Sequence, residues 1–143
     1  MTIRPGLLYL VDTSAIARAR SSDVGRIIDG LTANRSAATC VTIDLEIGYS
    51  GRTPDEMTRI ADIRHELYVT LPITEAVAER ARTIQLRMAA RGHHRAAGVV
   101  DLLTAAVAEI HDAVLLHYDA DFEHIAATTG QRQQWIVPRG SVD

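Results

Sequence analysis

Short apolar runs alternate along the chain with stretches of helical periodicity, and the alternation is regular enough to read as a fold. Runs of strand length predict strands at Leu7–Val11, Ala38–Val41, Tyr68–Leu71, Ala113–His117 and Trp135–Val137. Between them, Thr53-Pro54-Asp55-Glu56 forms a capping box with proline at the first helical position. Met57, Ile60, Ile63 and Leu67 follow it at helical spacing. Thr74 caps a longer helix that turns Val77, Ala81, Ile84 and Met88 inward and ends at Gly92. A third helix runs from about Val99 to His111, rich in Ala and Leu, and Thr42 is placed to cap a fourth that carries Glu46 in its early turns. Strands alternating with helices predict an α/β fold, a three-layer α/β/α sandwich with a mostly parallel central sheet. With no repeat, low-complexity tract or dividing linker, residues 1–143 read as a single domain.

Composition narrows this picture. The chain is 47% hydrophobic but only 4% aromatic, so its core must be built mainly from Ala, Val, Leu and Ile. No apolar stretch approaches the roughly 20 residues of a membrane helix, and Met1–Gly6 lacks the basic and apolar regions of a signal peptide. A cytoplasmic protein without a membrane partner is expected. The single cysteine, Cys40, lies in the apolar run "ATCV" and reads as a small buried hydrophobe.

Charge excludes more than it suggests. A net charge of -3 argues against indiscriminate binding to nucleic acid. All 15 residues counted as Lys or Arg are Arg, so a P-loop lysine and a Schiff-base amine are both absent. Arginine instead offers a planar fork suited to phosphate.

Acids stand where strands give way to helices. Asp12 ends the run "LYLVD"; Glu46 lies in "TIDLEIGYS"; Asp101 opens the helix of "GVVDLLTAA"; Asp119 and Asp121 follow the strand "AVLLHY". An acid at a helix start satisfies free amide hydrogens and complements the macrodipole, so each of Asp12, Asp101 and Asp119 has an ordinary reading as a cap. Glu46 fits capping less well, being inside a helix between Leu45 and Ile47. In an open parallel sheet, however, sites gather beyond the carboxyl ends of the strands. Several carboxylates meeting there would repel one another unless a cation were bound. Hard oxygen ligands favour Mg²⁺ or Mn²⁺, and such an ion can activate water against a phosphodiester.

Taken in order, "LVDTSAIAR", "LEIGYS", "VVDLLTAAVAE" and "LLHYDADFEHIA" resemble the PIN domain, most of all the VapC-type ribonuclease toxins of bacterial toxin–antitoxin pairs. The resemblance covers nearly the whole chain. It implies a metal-dependent RNA endonuclease whose Mg²⁺ or Mn²⁺ is held by Asp12, Glu46, Asp101 and Asp119. The family's last acid matches either Asp119 or Asp121, and Asp119 is preferred because it follows the strand directly. The Ser14 hydroxyl, or else that of Thr13, would support the metal or the substrate phosphate. Asp101 or Asp119 would orient the attacking water, and cleavage would leave a 5′-phosphate and a 3′-hydroxyl. The resemblance further implies a cognate VapB-type antitoxin, a homodimer and a toxin–antitoxin hetero-oligomer.

Arginines supply candidate contacts to the RNA backbone. Arg18 and Arg20 follow the first acid, Arg80, Arg87 and Arg91 share a helix face, and Arg95 lies on the approach to Asp101. A solvated surface is the plain alternative for each. Trp135 offers a stacking surface for a base, or else packs in the core or at a dimer contact. His93-His94 sits in an expected loop, and the other histidines show no ligand spacing. Rival readings are a stand-alone PIN nuclease in RNA processing, a receiver-like phosphoacceptor domain, a haloacid-dehalogenase-like phosphatase and an inactive binding module. The receiver normally needs a lysine, the phosphatase needs a second Asp that "DTSA" lacks, and the intact acids count against an inactive module.

Overall fold

Strand β1, Tyr9–Val11, is the spine of the molecule and is buried at every position. The structure, a computed structural model, describes residues 2–143. After β1 come α1 (Thr13–Ile16), α2 (Ser22–Ala33), β2 (Ala37–Thr39), α3 (Val41–Tyr49), α4 (Pro54–Leu67) and β3 (Val69–Thr70). The second half carries α5 (Glu75–Ala90), α6 (Val99–Ile110), β4 (Val114–His117), α7 (Asp121–Thr129) and β5 (Gln133–Trp135). All strand pairs are parallel, in the order β3-β2-β1-β4-β5.

Alternation along each strand divides the core into two layers. Leu10, Ala38 and Leu115 face one side, where they meet Ile84 and Met88 of α5, Leu102 of α6 and Phe122 of α7. Tyr9, Val11, Ala37, Val114 and Leu116 face the other, against Val24, Ile28 and Leu31 of α2. Helices cover both faces of the sheet, as expected for a three-layer sandwich. Small buried residues of α6 (Ala105, Ala106 and Ala108) let that helix lie close to its neighbours.

The predicted helices form with small shifts. Thr53 and Thr74 cap as expected, accepting the N–H groups of Glu56 and Val77. Thr42 does not cap: α3 starts at Val41 with Cys40 as its cap, and the Thr42 hydroxyl lies beside that of Thr104 at 3.0 Å. The second strand therefore stops at Thr39, two residues short of the expected end, and the last strand begins at Gln133, two residues early. α2 has no counterpart in the sequence reading, because two glycines weaken its local signal. One of them has a packing reason: a Cβ at Gly25 would stand 2.9 Å from the Ala19 carbonyl oxygen.

α4 differs more. Met57, Ile63 and Leu67 are 45%, 49% and 40% exposed, and the buried residue of the helix is Arg64. The helix leans on α3, and none of its apolar residues joins either layer of the core. Sheet order also parts this chain from receiver-type domains, in which the strands run 2-1-3-4-5. Here β1 lies between β2 and β4, and the connections diverge from it. The crevice at such a divergence is the usual ligand position in open α/β sheets.

Candidate metal centre

Asp12 ends β1 at that crevice, 5% exposed. Its Oδ2 accepts the backbone N–H of Ser14 at 3.0 Å and the Ser14 hydroxyl at 2.6 Å. The same hydroxyl accepts the N–H of Tyr118 at 2.9 Å. Ser14 thus ties the carboxyl end of β1 to that of β4 and holds the Asp12 carboxylate in one orientation. Capping and site formation coincide at Asp12.

Asp101 is the third residue of α6, at a helix start whose dipole favours an anion. Asp119 follows β4, and its N–H donates to Nδ1 of His117 at 3.1 Å. That bond leaves the His117 proton on Nε2, which donates to Gln133. His117 is fully buried, and burial lowers its pKa, so a neutral ring supports the Asp119 backbone. Asp119 Oδ1 in turn accepts the N–H of Asp121 at 3.0 Å, which opens α7.

These elements bring ligand oxygens of Asp101, Asp119 and Asp121 within 4.8 Å of one another. Asp12 lies outside that tight group but close enough for its charge to act on Asp101 and on Glu46. Glu46 is the outlying member, held by the Thr13 hydroxyl at 3.3 Å. Burial, helped by the charges of Asp12, Asp119 and Asp121, pushes the Asp101 carboxyl up to about 6. Burial first and Asp119 second raise Asp121. Glu46 is raised by desolvation and then by Asp12, against the pull of the Thr13 hydroxyl.

No ion pair among the described residues reaches any of these five acids. Carboxylates crowded together with no basic side chain paired to them favour binding of a cation. An all-oxygen donor set fits a hard divalent ion rather than zinc.

The arginines divide. Arg18 stays at the crevice, donating to the Ser14 carbonyl at 2.8 Å with its guanidinium 4.3 Å from the centre of the Tyr118 ring. Arg80 is committed elsewhere: both of its forks meet Glu109, at 2.9 and 2.7 Å, joining α5 to α6. Arg91 donates to the Ala127 carbonyl at 2.6 Å, whereas Arg87, Arg95, His93 and His94 are exposed. Cys40 is buried, as expected, and burial raises its thiol pKa. The sequence assigns His117 no role; its only signal there is its position two residues before Asp119, at the end of an apolar run.

A parallel sheet with acids crowded at its divergence defines an α/β domain whose carboxylates could hold a metal ion, and residues 9–128 match the family model "PIN domain". The chain belongs to that family. It is 42% identical over 137 residues to Ribonuclease VapC51 of Mycobacterium tuberculosis, covering 96% of this chain and 98% of that one. It is 36% identical over 133 residues to Ribonuclease VapC21 of the same organism, covering 93% and 96%. The solved structure of DNA-bound VapBC from Salmonella typhimurium superposes with a TM-score of 0.74 at 16% identity, over 92% of this chain and 99% of that one. VapBC-1 from nontypeable Haemophilus influenzae gives 0.73 at 18% identity, over 91% and 98%. At those identities the solved structures speak for the fold.

Proposed function

We propose that this protein is a metal-dependent RNA endonuclease and the toxin of a toxin–antitoxin pair. The observation that carries the catalytic half is the convergence of Asp101, Asp119 and Asp121 at the sheet's divergence, beside Asp12, with no cation paired to them. The substrate is supported by relatives named ribonucleases, which this chain matches over nearly its whole length, and the toxin role by a neighbour of like fold described as a member of the VapBC family of toxin–antitoxin systems, VapBC-5 from Mycobacterium tuberculosis.

Mg²⁺, or Mn²⁺, would be held by Asp101, Asp119 and Asp12, with Asp121 or Glu46 completing the set. When bound, such an ion polarises a phosphodiester oxygen and lowers the pKa of water for in-line attack. The chain supplies the rest. Ser14 keeps the Asp12 carboxylate fixed, and His117 keeps the Asp119 turn fixed. A carboxylate among Asp101 and Asp119 would orient the water and take its proton as the water oxygen bonds to phosphorus and the P–O3′ bond breaks; the departing O3′ would take up a proton from solvent, giving a 3′-hydroxyl and a 5′-phosphate. No side chain becomes a covalent nucleophile.

The antitoxin half rests on a surface. Between α3 and α4 lies a groove of about 690 Å³ lined in part by Leu45, Tyr49, Met57 and Ile60. Leu45 is 68% and Tyr49 93% exposed, which is costly for a chain without a partner. An amphipathic antitoxin segment is the occupant that the toxin role provides. We propose that the protein also forms homodimers within the toxin–antitoxin assembly.

The test is RNA cleavage by the purified protein with Mg²⁺ or Mn²⁺, with chelator, and with Asp101→Asn. Cleavage should require the ion and fall about a thousandfold in the variant. Equal cleavage in all samples would end the proposal.

A further inference from the structure

Beside the carboxylates, on the β4 and β5 side, lies an open cleft of about 560 Å³ lined by Arg18, Tyr118, Asp119, Trp135, Arg139 and Asp143. Asp119 belongs to the carboxylate triad, so cleft and proposed metal centre share a wall. Two guanidinium groups lie over aromatic rings there. Arg18 stands 4.3 Å from the centre of the Tyr118 ring, and Arg139 stands 5.7 Å from that of Trp135.

The rim is held in place. The Tyr118 hydroxyl donates to the Val142 carbonyl at 2.9 Å and accepts the Gly140 N–H at 2.8 Å. The turn that carries Arg139 needs the positive φ of 79° at Gly140, a conformation that glycine adopts without strain. Trp135 donates its indole N–H to Glu123 at 2.7 Å, and its ring packs against His117 and edge-on with Tyr118, so an incoming base would take the place over the ring that the exposed Arg139 holds. Arg18 Nε is the one buried side-chain donor without a partner among the described residues. With Arg18 and Arg139 both on its lining, the cleft offers two guanidinium groups to an anionic ligand.

We propose that this cleft binds the nucleotide next to the scissile phosphate of single-stranded RNA, its phosphate on Arg18 and Arg139 and its base on the indole of Trp135. This rests on the RNA-cleaving reading above. Guanidinium forks match phosphate oxygens, and stacking on an aromatic face accepts any base. Arg139 is exposed, so it can swing over the far face of the base and cover it. Asp143 opposes the phosphate from the rim. It weakens binding, and its removal should act with the sign opposite to removal of Arg139.

Trp135 is the only tryptophan in the chain, so its fluorescence reports this cleft alone. The full protein is titrated with a short single-stranded RNA in EDTA, where cleavage is stopped. Fluorescence and the anisotropy of the labelled RNA are followed together. The quenching midpoint should coincide with the anisotropy midpoint. Arg139→Ala should weaken that midpoint about tenfold and reduce the slope of log affinity against log salt by roughly 0.7. Asp143→Asn should tighten binding. Arg18→Ala is secondary because Arg18 also supports Tyr118, and Arg139 carries the test.

RNA that binds by anisotropy without changing Trp135, or an Arg139→Ala variant with the parent's midpoint and slope, would overturn the assignment. So would quenching by a partner protein but not by RNA, which would make the cleft a protein site. A parallel assay with Mg²⁺ separates the two readings: cleavage without quenching discards the cleft alone, whereas loss of both discards the nuclease as well.

Discussion

Two clusters of charge lie partly inside this protein, and they are built in opposite ways. Under the α3–α4 groove, the guanidinium of Arg64 donates to Asp44 at 3.1 Å and to the Thr39 hydroxyl at 2.8 Å, and stands 4.4 Å from the centre of the Tyr68 ring. Thr39 also donates to Asp44 at 2.7 Å. Each charge there has its partner. At the other cluster Asp101, Asp119 and Asp121 face one another with no basic side chain among the described residues paired to them, and burial, with the neighbouring charges second, pushes the Asp101 carboxyl up to about 6. A balanced cluster joins α3, α4 and β2. An unbalanced one costs the fold free energy, which a bound ion would return.

The largest effect should come from breaking the balanced cluster. Arg64→Ala leaves Asp44 unpaired and opens a gap beneath α4, and should destabilise the protein by about 3 kcal/mol in urea denaturation. A loss under 1 kcal/mol would make this pair no more than a surface contact.

The unbalanced cluster should respond to ions instead. Added Mn²⁺ or Mg²⁺ should raise the stability of the parent protein by about 2.7 kcal/mol at a hundred times its Kd. The same ion should leave Asp119→Asn nearly unchanged. Equal stabilisation of both proteins would move the ion elsewhere.

The smallest effect tests the sign. Asp101 is charged above about 6 in the fold but has an ordinary value of 3.8, so the metal-free fold is penalised at neutral pH. That penalty is relieved as pH falls through about 6 and is gone below 3.8, where the carboxyl is protonated in both states. Asp101→Asn should therefore stabilise the metal-free protein by about 1 to 2 kcal/mol near neutral pH, after allowance for its partial exposure, and by nothing near pH about 4. With the ion saturating, the same variant should be the less stable of the two. A thermal melt at each pH, with EDTA and with Mn²⁺, reads all four states.

How much was legible beforehand varies with the range of the interactions. Thr53 and Thr74 announce their helices because a cap acts within three residues, and both bonds form as read. Asp12 and Asp119 could be placed at strand ends because an apolar run stops just before each. α2 carries Val24, Ile28 and Leu31 at helical spacing, so its pattern was present in the sequence, but Gly25 and Gly30 interrupt it and weaken the reading. The fate of the arginines was not legible. Arg80 and Arg87 occur on the same helix, yet one meets Glu109 from another helix and the other meets solvent. His117 and the cleft with Trp135 and Arg139 were hidden for the same reason.

The order of strands and helices, the acids at the strand ends and the absence of lysine all follow from the linear chain, because periodicity, caps and composition are local properties. Which acids meet does not. Asp101 and Asp119 are eighteen positions apart and Asp12 lies far from both, and only the parallel order of β1 and β4, with α6 and α7 packed behind them, brings their charges together. Whether a charge is paired or left bare depends on where other elements come to rest, and that separates Asp101 from Asp44.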